Sequence, residues 1–178
     1  MFSAETYTNR RARLSASFQS GLLLFLGNDE SSMNYADNTY PFRQDSTWLY
    51  YFGIDLPGLA AVIDVDEHRT VVFGDDLTLD AIVWTGPQPT VSDLASRAGV
   101  ADTAPASALA GVLRQAQSRG RTIRFLPPYR GEHRLKLADL LGVSPGQVDA
   151  GPAWTSSAPW WTCATTRAPK RWPRSSSP

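Results

Sequence analysis

The sequence predicts an α/β fold, a mixed β-sheet flanked by helices, and three observations carry that prediction. Short apolar runs rich in Leu, Val, Ile and Phe recur at Leu22–Leu26, Leu59–Val65, Thr70–Phe73 and Thr122–Leu126, each of strand length. Between them lie segments whose apolar residues repeat at helical spacing, and strands alternating with helices argue a layered sandwich. The chain has 178 residues, 42% hydrophobic and 19% charged, which suits one ordinary globular domain rather than a disordered segment.

The elements follow in order. Ser3 with Glu5 behind it marks a helix start, and Tyr7, Arg11, Leu14 and Phe18 fall on one helical stripe. Gly21 ends that segment, and Leu22–Leu26 reads as a buried strand. Residues 27–38 (GNDESSMNYADN) form a polar loop. Leu59–Val65 and Thr70–Phe73 read as the two arms of a hairpin turning at Asp66-Glu67-His68-Arg69. After a turn at Gly74-Asp75-Asp76, a short segment runs from Leu77 to Trp84 and breaks at Gly86-Pro87. Helices are expected at Val91–Arg97 and Pro105–Ser118, the second with Leu109, Val112, Leu113 and Ala116 as its apolar stripe. Gly120 closes it. A strand at Thr122–Leu126 stops at Pro127-Pro128, and Glu132–Leu141 makes a last helix.

One stretch is denser than any other. Tyr40–Gly58 (YPFRQDSTWLYYFGIDLPG) holds six aromatics, two Asp, two Pro, two Gly and one Arg. Tyr40 before Pro41 is held extended, and Asp45 or Ser46 can cap a short helix carrying Trp48, Tyr50 and Tyr51. Gly53 is placed to end it in a left-handed conformation. Arg43 offers a planar fork of donors, with Asp45 and Asp37 as ion-pair partners or a substrate as the alternative.

Composition excludes several functions. Lys plus Arg equals Asp plus Glu at 17 each. Four of the basic residues, Arg167, Lys170, Arg171 and Arg174, follow Gly151, where no acid occurs, so residues 1–150 hold 13 basic and 17 acidic side chains, a net of −4. Such a body has no electrostatic reason to bind nucleic acid. The lone cysteine, Cys163, permits no internal disulfide. The N-terminus lacks the basic-then-apolar order of a secretory signal, and no apolar run is long enough to span a membrane, so a cytoplasmic location is expected. His68 and His133, the two histidines, read as surface residues in a hairpin turn and near a helix start. Neither sits in a metal-ligand spacing, and no nucleophile elbow, P-loop or dinucleotide fingerprint occurs. The body therefore shows no catalytic residues, metal ligands or cofactor site of its own.

The stretch Tyr40–Gly58, then Phe73-Gly74-Asp75-Asp76, then Asp80–Gly86 (DAIVWTG), then Phe125–Glu132 (FLPPYRGE), resembles in order the landmarks of the N-terminal domain of aminopeptidase P. These are Xaa-Pro aminopeptidases of the creatinase-like, pita-bread metallopeptidase superfamily, and the resemblance covers about residues 1–150. It implies a creatinase/aminopeptidase P N-terminal-like domain that builds a homo-oligomer and shapes a substrate pocket but is not itself catalytic. The parental activity it implies is removal of the N-terminal residue that precedes proline, by water activated on a manganese or similar divalent metal pair. Those ligands lie in a C-terminal catalytic domain that nothing here matches. The family's aromatic contribution to a neighbouring subunit's pocket matches Trp84, whose flat indole suits a proline ring. A buried core tryptophan is the plainer role for Trp84. A prolidase-type dipeptidase has a similar N-terminal domain, and other proteins of this fold keep it as an interaction module.

From Gly151 the composition changes. Residues 151–178 contain four of the six tryptophans and no Leu, Ile, Val, Phe, Tyr, Asp or Glu, so they are expected to form an aberrant, disordered tail. Two readings compete, a genuine basic, aromatic, disordered tail that binds anionic partners and a change of reading frame near residue 152, and the codons favour the second. Tryptophan has the single codon TGG, so Trp160-Trp161-Thr162, read two bases later, must give Val-Asp. With permitted codons, Ala158 onward reads A-V-V-D-L-R, and Pro169 onward can read E-E-V-A-E-I-E-Q. A gene that once continued into a catalytic domain is the expectation.

Overall fold

The computed structural model describes residues 2–148. The expected tail, residues 151–178, lies outside the described residues. The helices are α1 (Ala4–Ser15), α2 (Ser46–Tyr51), α3 (Leu79–Thr85), α4 (Val91–Arg97), α5 (Ala108–Ser118), α6 (Gly131–Leu141) and α7 (Pro145–Val148). The strands are β1 (Leu22–Leu26), β2 (Ala60–Asp64), β3 (Arg69–Phe73), β4 (Asp102–Ala104) and β5 (Ile123–Phe125). They form a mixed five-stranded sheet in the order β4-β3-β2-β1-β5. β1, β2 and β3 pair antiparallel, whereas β1 with β5 and β3 with β4 are parallel.

Successive strand residues face opposite sides, and the central strands are buried on both. Leu23, Phe25, Ala61, Ile63 and Val72 pack beneath α1, α2 and α4, against Tyr7, Leu14, Trp48, Phe52 and Ala95. Leu22, Leu24, Ala60, Val62, Phe73 and Phe125 face α5, α6 and α7, against Leu109, Leu113, Leu137 and Val148. Double coverage explains why β1 is an unbroken apolar run rather than an alternating one. Each such Leu taken fully out of water contributes about 1.5–3 kcal/mol.

Local chemistry sets the element ends. The Ser3 hydroxyl accepts from the Thr6 N–H at the start of α1. Asp45 Oδ1 accepts from the N–H groups of Thr47 and Trp48 at 2.8 and 2.9 Å and starts α2. Thr90 and Asp93 form a reciprocal capping box on α4. Gly53 ends α2 with φ +67, and a Cβ there would meet the Tyr7 hydroxyl oxygen at 2.0 Å, so only glycine fits.

Two expectations are corrected. α1 stops at Ser15, so Phe18 leaves the helical stripe and packs at the border of the core from the following turn. The serines at 15, 17 and 20 and Gly21 favour turns over helix there. His133 is buried rather than on the surface, with Nε2 3.1 Å from the Gly27 carbonyl oxygen. His68 is exposed, in the β2–β3 turn at φ 51.

Candidate functional site

The excursion that carries Trp84 is anchored at its root. The N–H of Gly74 donates to the Ala104 carbonyl at 3.0 Å, and a Cβ at Gly74 would lie 2.3 Å from Leu59 Cδ2. Asp75 Oδ1 accepts from the Ala106 N–H at 3.1 Å, and Asp76 Oδ1 accepts from the Val91 N–H at 2.7 Å. The two adjacent carboxylates therefore tie this turn to the segments opening α5 and α4. Negative charge there also suits the positive end of a helix dipole.

From that root, α3 presents an apolar face to solvent. Leu79 is 82% exposed, Val83 80% and Trp84 88%. Leu79 and Val83 stand one helical turn apart on one side of α3, and Trp84 projects about 100° round from Val83. The N–H of Gly86 donates to the Ile82 carbonyl at 2.8 Å, with Gly86 at φ +77, closing the helix behind Trp84. The indole is thus displayed, not buried in the core. Three large apolar side chains at such exposure form a surface with the composition of a partner or ligand contact.

Arg43 lies in the loop entering α2, exposed. Among the described residues its guanidinium makes no hydrogen bond or ion pair, which corrects the expected pairing with Asp45 or Asp37. Asp45 is committed to capping α2 and accepts from the Tyr129 hydroxyl at 3.0 Å through Oδ2. Burial, then the Asp45 charge, pushes the Tyr129 phenol above its usual 10. No contact joins Arg43 to Trp84 among the described residues.

The residue that organises this loop is Gln44, which the sequence reading passed over. Its buried Oε1 accepts from the N–H groups of Asn28 and Asp45 at 2.7 and 2.8 Å. Its Nε2 donates to the Leu56 carbonyl at 2.7 Å. Asn28 Nδ2 in turn donates to the Arg43 carbonyl at 2.7 Å, holding the Arg43 backbone while leaving its side chain free. A glutamine flanked by Arg43 and Asp45 gives no sequence signal for burial, because polar residues there read as loop.

Among the described residues, no three His, Cys, Asp or Glu side chains converge into a metal site. His133 faces Gly27 and the Tyr129 ring, and burial holds its pKa below the ordinary 6.5. The arrangement is a two-faced sheet with an anchored, apolar projecting helix.

Comparison with known proteins gives the family. Residues 7–124 match the family model described as aminopeptidase P, N-terminal domain, and the chain belongs to that family. A probable Xaa-Pro aminopeptidase of Sordaria macrospora is 30% identical over 84 residues, 47% of this chain and 14% of that protein. The human Xaa-Pro dipeptidase is 32% identical over 77 residues, 43% of this chain and 16% of that protein. The Escherichia coli aminopeptidase P low-pH structure superposes with a TM-score of 0.65 at 22% identity, covering 80% of this chain and 33% of that one. Proline aminopeptidase P II from Yersinia pestis gives a TM-score of 0.67 at 21% identity, covering 79% and 33%. The fold is therefore that of the aminopeptidase P N-terminal domain, and the chain spans only a minor part of each relative.

Proposed function

We propose that this chain is the non-catalytic N-terminal domain of an Xaa-Pro aminopeptidase, serving to assemble a homo-oligomer and to shape the pocket for a peptide with proline second. The single observation that carries this reading is α3, anchored through Asp75 and Asp76 and presenting Leu79, Val83 and Trp84 to solvent. Trp84 supplies a flat wall for proline or an apolar side chain, and Arg43 supplies a cation with a free fork of donors. The metal pair of the parental reaction has no ligand set among the described residues, so no step of it is assigned to them. Water activated there is the work of the catalytic domain.

The same reading takes residues 1–150 as the domain and residues 151–178 as the product of a shifted frame, in a cytoplasmic protein without nucleic-acid or membrane partners. No helix among the described residues is long and apolar enough to cross a membrane. The DNA downstream of the codon for Gly151 tests the frame.

The activity test has two parts. The 178-residue chain with an Xaa-Pro peptide and manganese should show no turnover, and any turnover overturns the non-catalytic reading. In the frame-corrected protein, Trp84→Ala should lower kcat/KM on Xaa-Pro peptides by about tenfold, the worth of one lost apolar contact in a pocket. Unchanged kcat/KM removes Trp84 from the pocket. The human dipeptidase match favours a second reading, an Xaa-Pro dipeptidase. Cleavage of dipeptides alone by the corrected protein selects it. A corrected protein inert on both, yet oligomeric, would be an interaction module.

A further inference from the structure

Asp80 stands four residues before Trp84 on α3, so the two share one face of the helix, about one turn apart. Both are exposed, Trp84 to 88%. Long side chains on a helix lean toward its N-terminus, which carries an indole back over the turn that here bears Asp80. Leu79 and Val83 occupy the neighbouring face. Asp75 and Asp76, at the root of α3, each commit one carboxylate oxygen to a backbone N–H, of Ala106 and of Val91. Asp80 differs. Among the described residues no ion pair engages its carboxylate. The stretch between Arg69 and Arg97 holds four Asp and no Lys or Arg, so its own sequence supplies no cation to neutralise them. An acid in the first turn favours a helix through its dipole, which accounts for an acid there. It does not account for an indole displayed on the same face.

We propose that Asp80 and Trp84 form one contact for a cationic side chain, and that Asp80 selects peptides with Arg or Lys in third position, directly after proline. The proposal rests on the reading of Trp84 as a pocket wall given above. The bond to be cut joins the first residue to proline, and it belongs with the activated water of the catalytic domain. The third residue is therefore the one that runs on past the indole. Its Cα lies about 3.8 Å beyond that of proline, and the stem of Arg or Lys spans the roughly 5–6 Å between positions 84 and 80. A cation over the indole meets the negative face of the ring, and a carboxylate one turn away completes its neutralisation. An acidic third residue is repelled by the same carboxylate.

The test uses three peptide amides, Ala-Pro-Arg-Ala, Ala-Pro-Ala-Ala and Ala-Pro-Glu-Ala, titrated into the 178-residue chain at low ionic strength. Binding is followed at the Trp84 indole N–H resonance, assigned by its loss in Trp84→Phe. The Arg peptide should bind about fivefold or more tighter than the Glu peptide, as expected for an exposed ion pair with a cation–π contact. Asp80→Asn should abolish that difference. Asp80→Lys should reverse it, a reversal that a purely helix-stabilising role for Asp80 does not give. The unchanged order of affinities in Asp80→Lys overturns the proposal, and so does no shift with any peptide at millimolar concentration. Equal affinity of all three peptides also overturns it, while leaving Trp84 as a proline wall without charge selection. An Ala-Ala-Arg-Ala amide that binds as tightly as the Arg peptide would instead remove the proline wall, and the third-position assignment with it.

Discussion

Arg11 is the most constrained single residue. It is 4% exposed and has no carboxylate partner among the described residues. Its guanidinium donates to the carbonyls of Tyr51, Ala98 and Gly99 at 2.8, 2.9 and 2.9 Å and to the Thr8 hydroxyl at 3.3 Å. It also lies 5.4 Å over the Phe52 ring. Tyr51 and Ala98 stand at the C-terminal ends of α2 and α4, where the helix dipole is negative and carbonyls lack intrahelical donors. One cation thus ties α1 to two other helices, and burial lowers its pKa to about 10, well above neutral pH. Arg11→Met keeps the stem and removes the donors. It should cost about 3 kcal/mol or more, read as a lower urea midpoint, because buried carbonyls lose charged partners. Arg11→Lys should recover little, since an ammonium cannot reproduce the fork. The sequence placed Arg11 on the core stripe of its helix, but nothing in it marked the three carbonyl acceptors, which come from residues forty and more positions away.

His133 gives a second residue-scale prediction. Burial is the main cause holding its folded pKa below 6.5, so the unfolded chain takes up the proton first as pH falls. Stability should therefore decrease as pH drops below about 6.5, and level off once the folded form is protonated. The Asp64 carboxylate works in a lower window. Burial opposes its charge, yet hydrogen bonds from Arg121 and the Glu67 N–H hold it below 3.8, so its contribution is lost only under that value. Melting temperatures from pH 7.5 to 4.5 should fall for the parent chain and for His68→Gln, and fall less for His133→Gln. Equal slopes in all three would place the acid sensitivity elsewhere.

At the scale of elements, the two tryptophans of α2 and α3 make a controlled pair. Trp48 is 0% exposed, stacks on Phe52 with centroids 4.6 Å apart, and donates through Nε1 to the Ile54 carbonyl at 2.8 Å. Trp84 is 88% exposed. Trp48→Ala should cost about 3–5 kcal/mol, the usual loss for a buried large aromatic, and Trp84→Ala a few tenths. Denaturation midpoints of both variants check the contrast, and a comparable loss at Trp84 would mean that α3 has a covered state. Helix, hairpin and cap positions were readable because each has a local signal, such as Asp45 before α2 or Thr90 and Asp93 around α4. β4 was not. In Asp102-Thr103-Ala104 only Thr103 favours a strand, and the strand forms because Val71, Val72 and Phe73 offer it a parallel edge. The sequence showed Trp84 at an element's end but left its burial open, because exposure depends on what packs over α3 and not on α3 itself.

At the scale of the whole molecule, β1 belongs to both cores. Leu23 is buried among the side chains beneath α1, α2 and α4, and Leu24 among those facing α5 to α7. Adjacent residues on one central strand therefore sit in different layers. The far ends are also fastened across the sheet, with Arg121 paired to Asp64 and to Asp66, whose other contact is the Gly21 N–H at 3.0 Å. If the sheet couples the two layers, the domain unfolds as one unit. Leu23→Ala and Leu24→Ala should each cost about 2–5 kcal/mol through lost transfer energy and a residual cavity. Each should also shift a single transition followed equally by tryptophan fluorescence, which reports Trp48 beneath α1, and by far-UV circular dichroism, which reports every helix. Fluorescence from the tryptophans at 84, 154, 160, 161 and 172 is removed beforehand by Phe substitution, so that the signal reports Trp48 alone. If Leu24→Ala lowered the dichroism midpoint and left the fluorescence midpoint unchanged, the layers would melt separately, and the central strand would not be the joint of the fold.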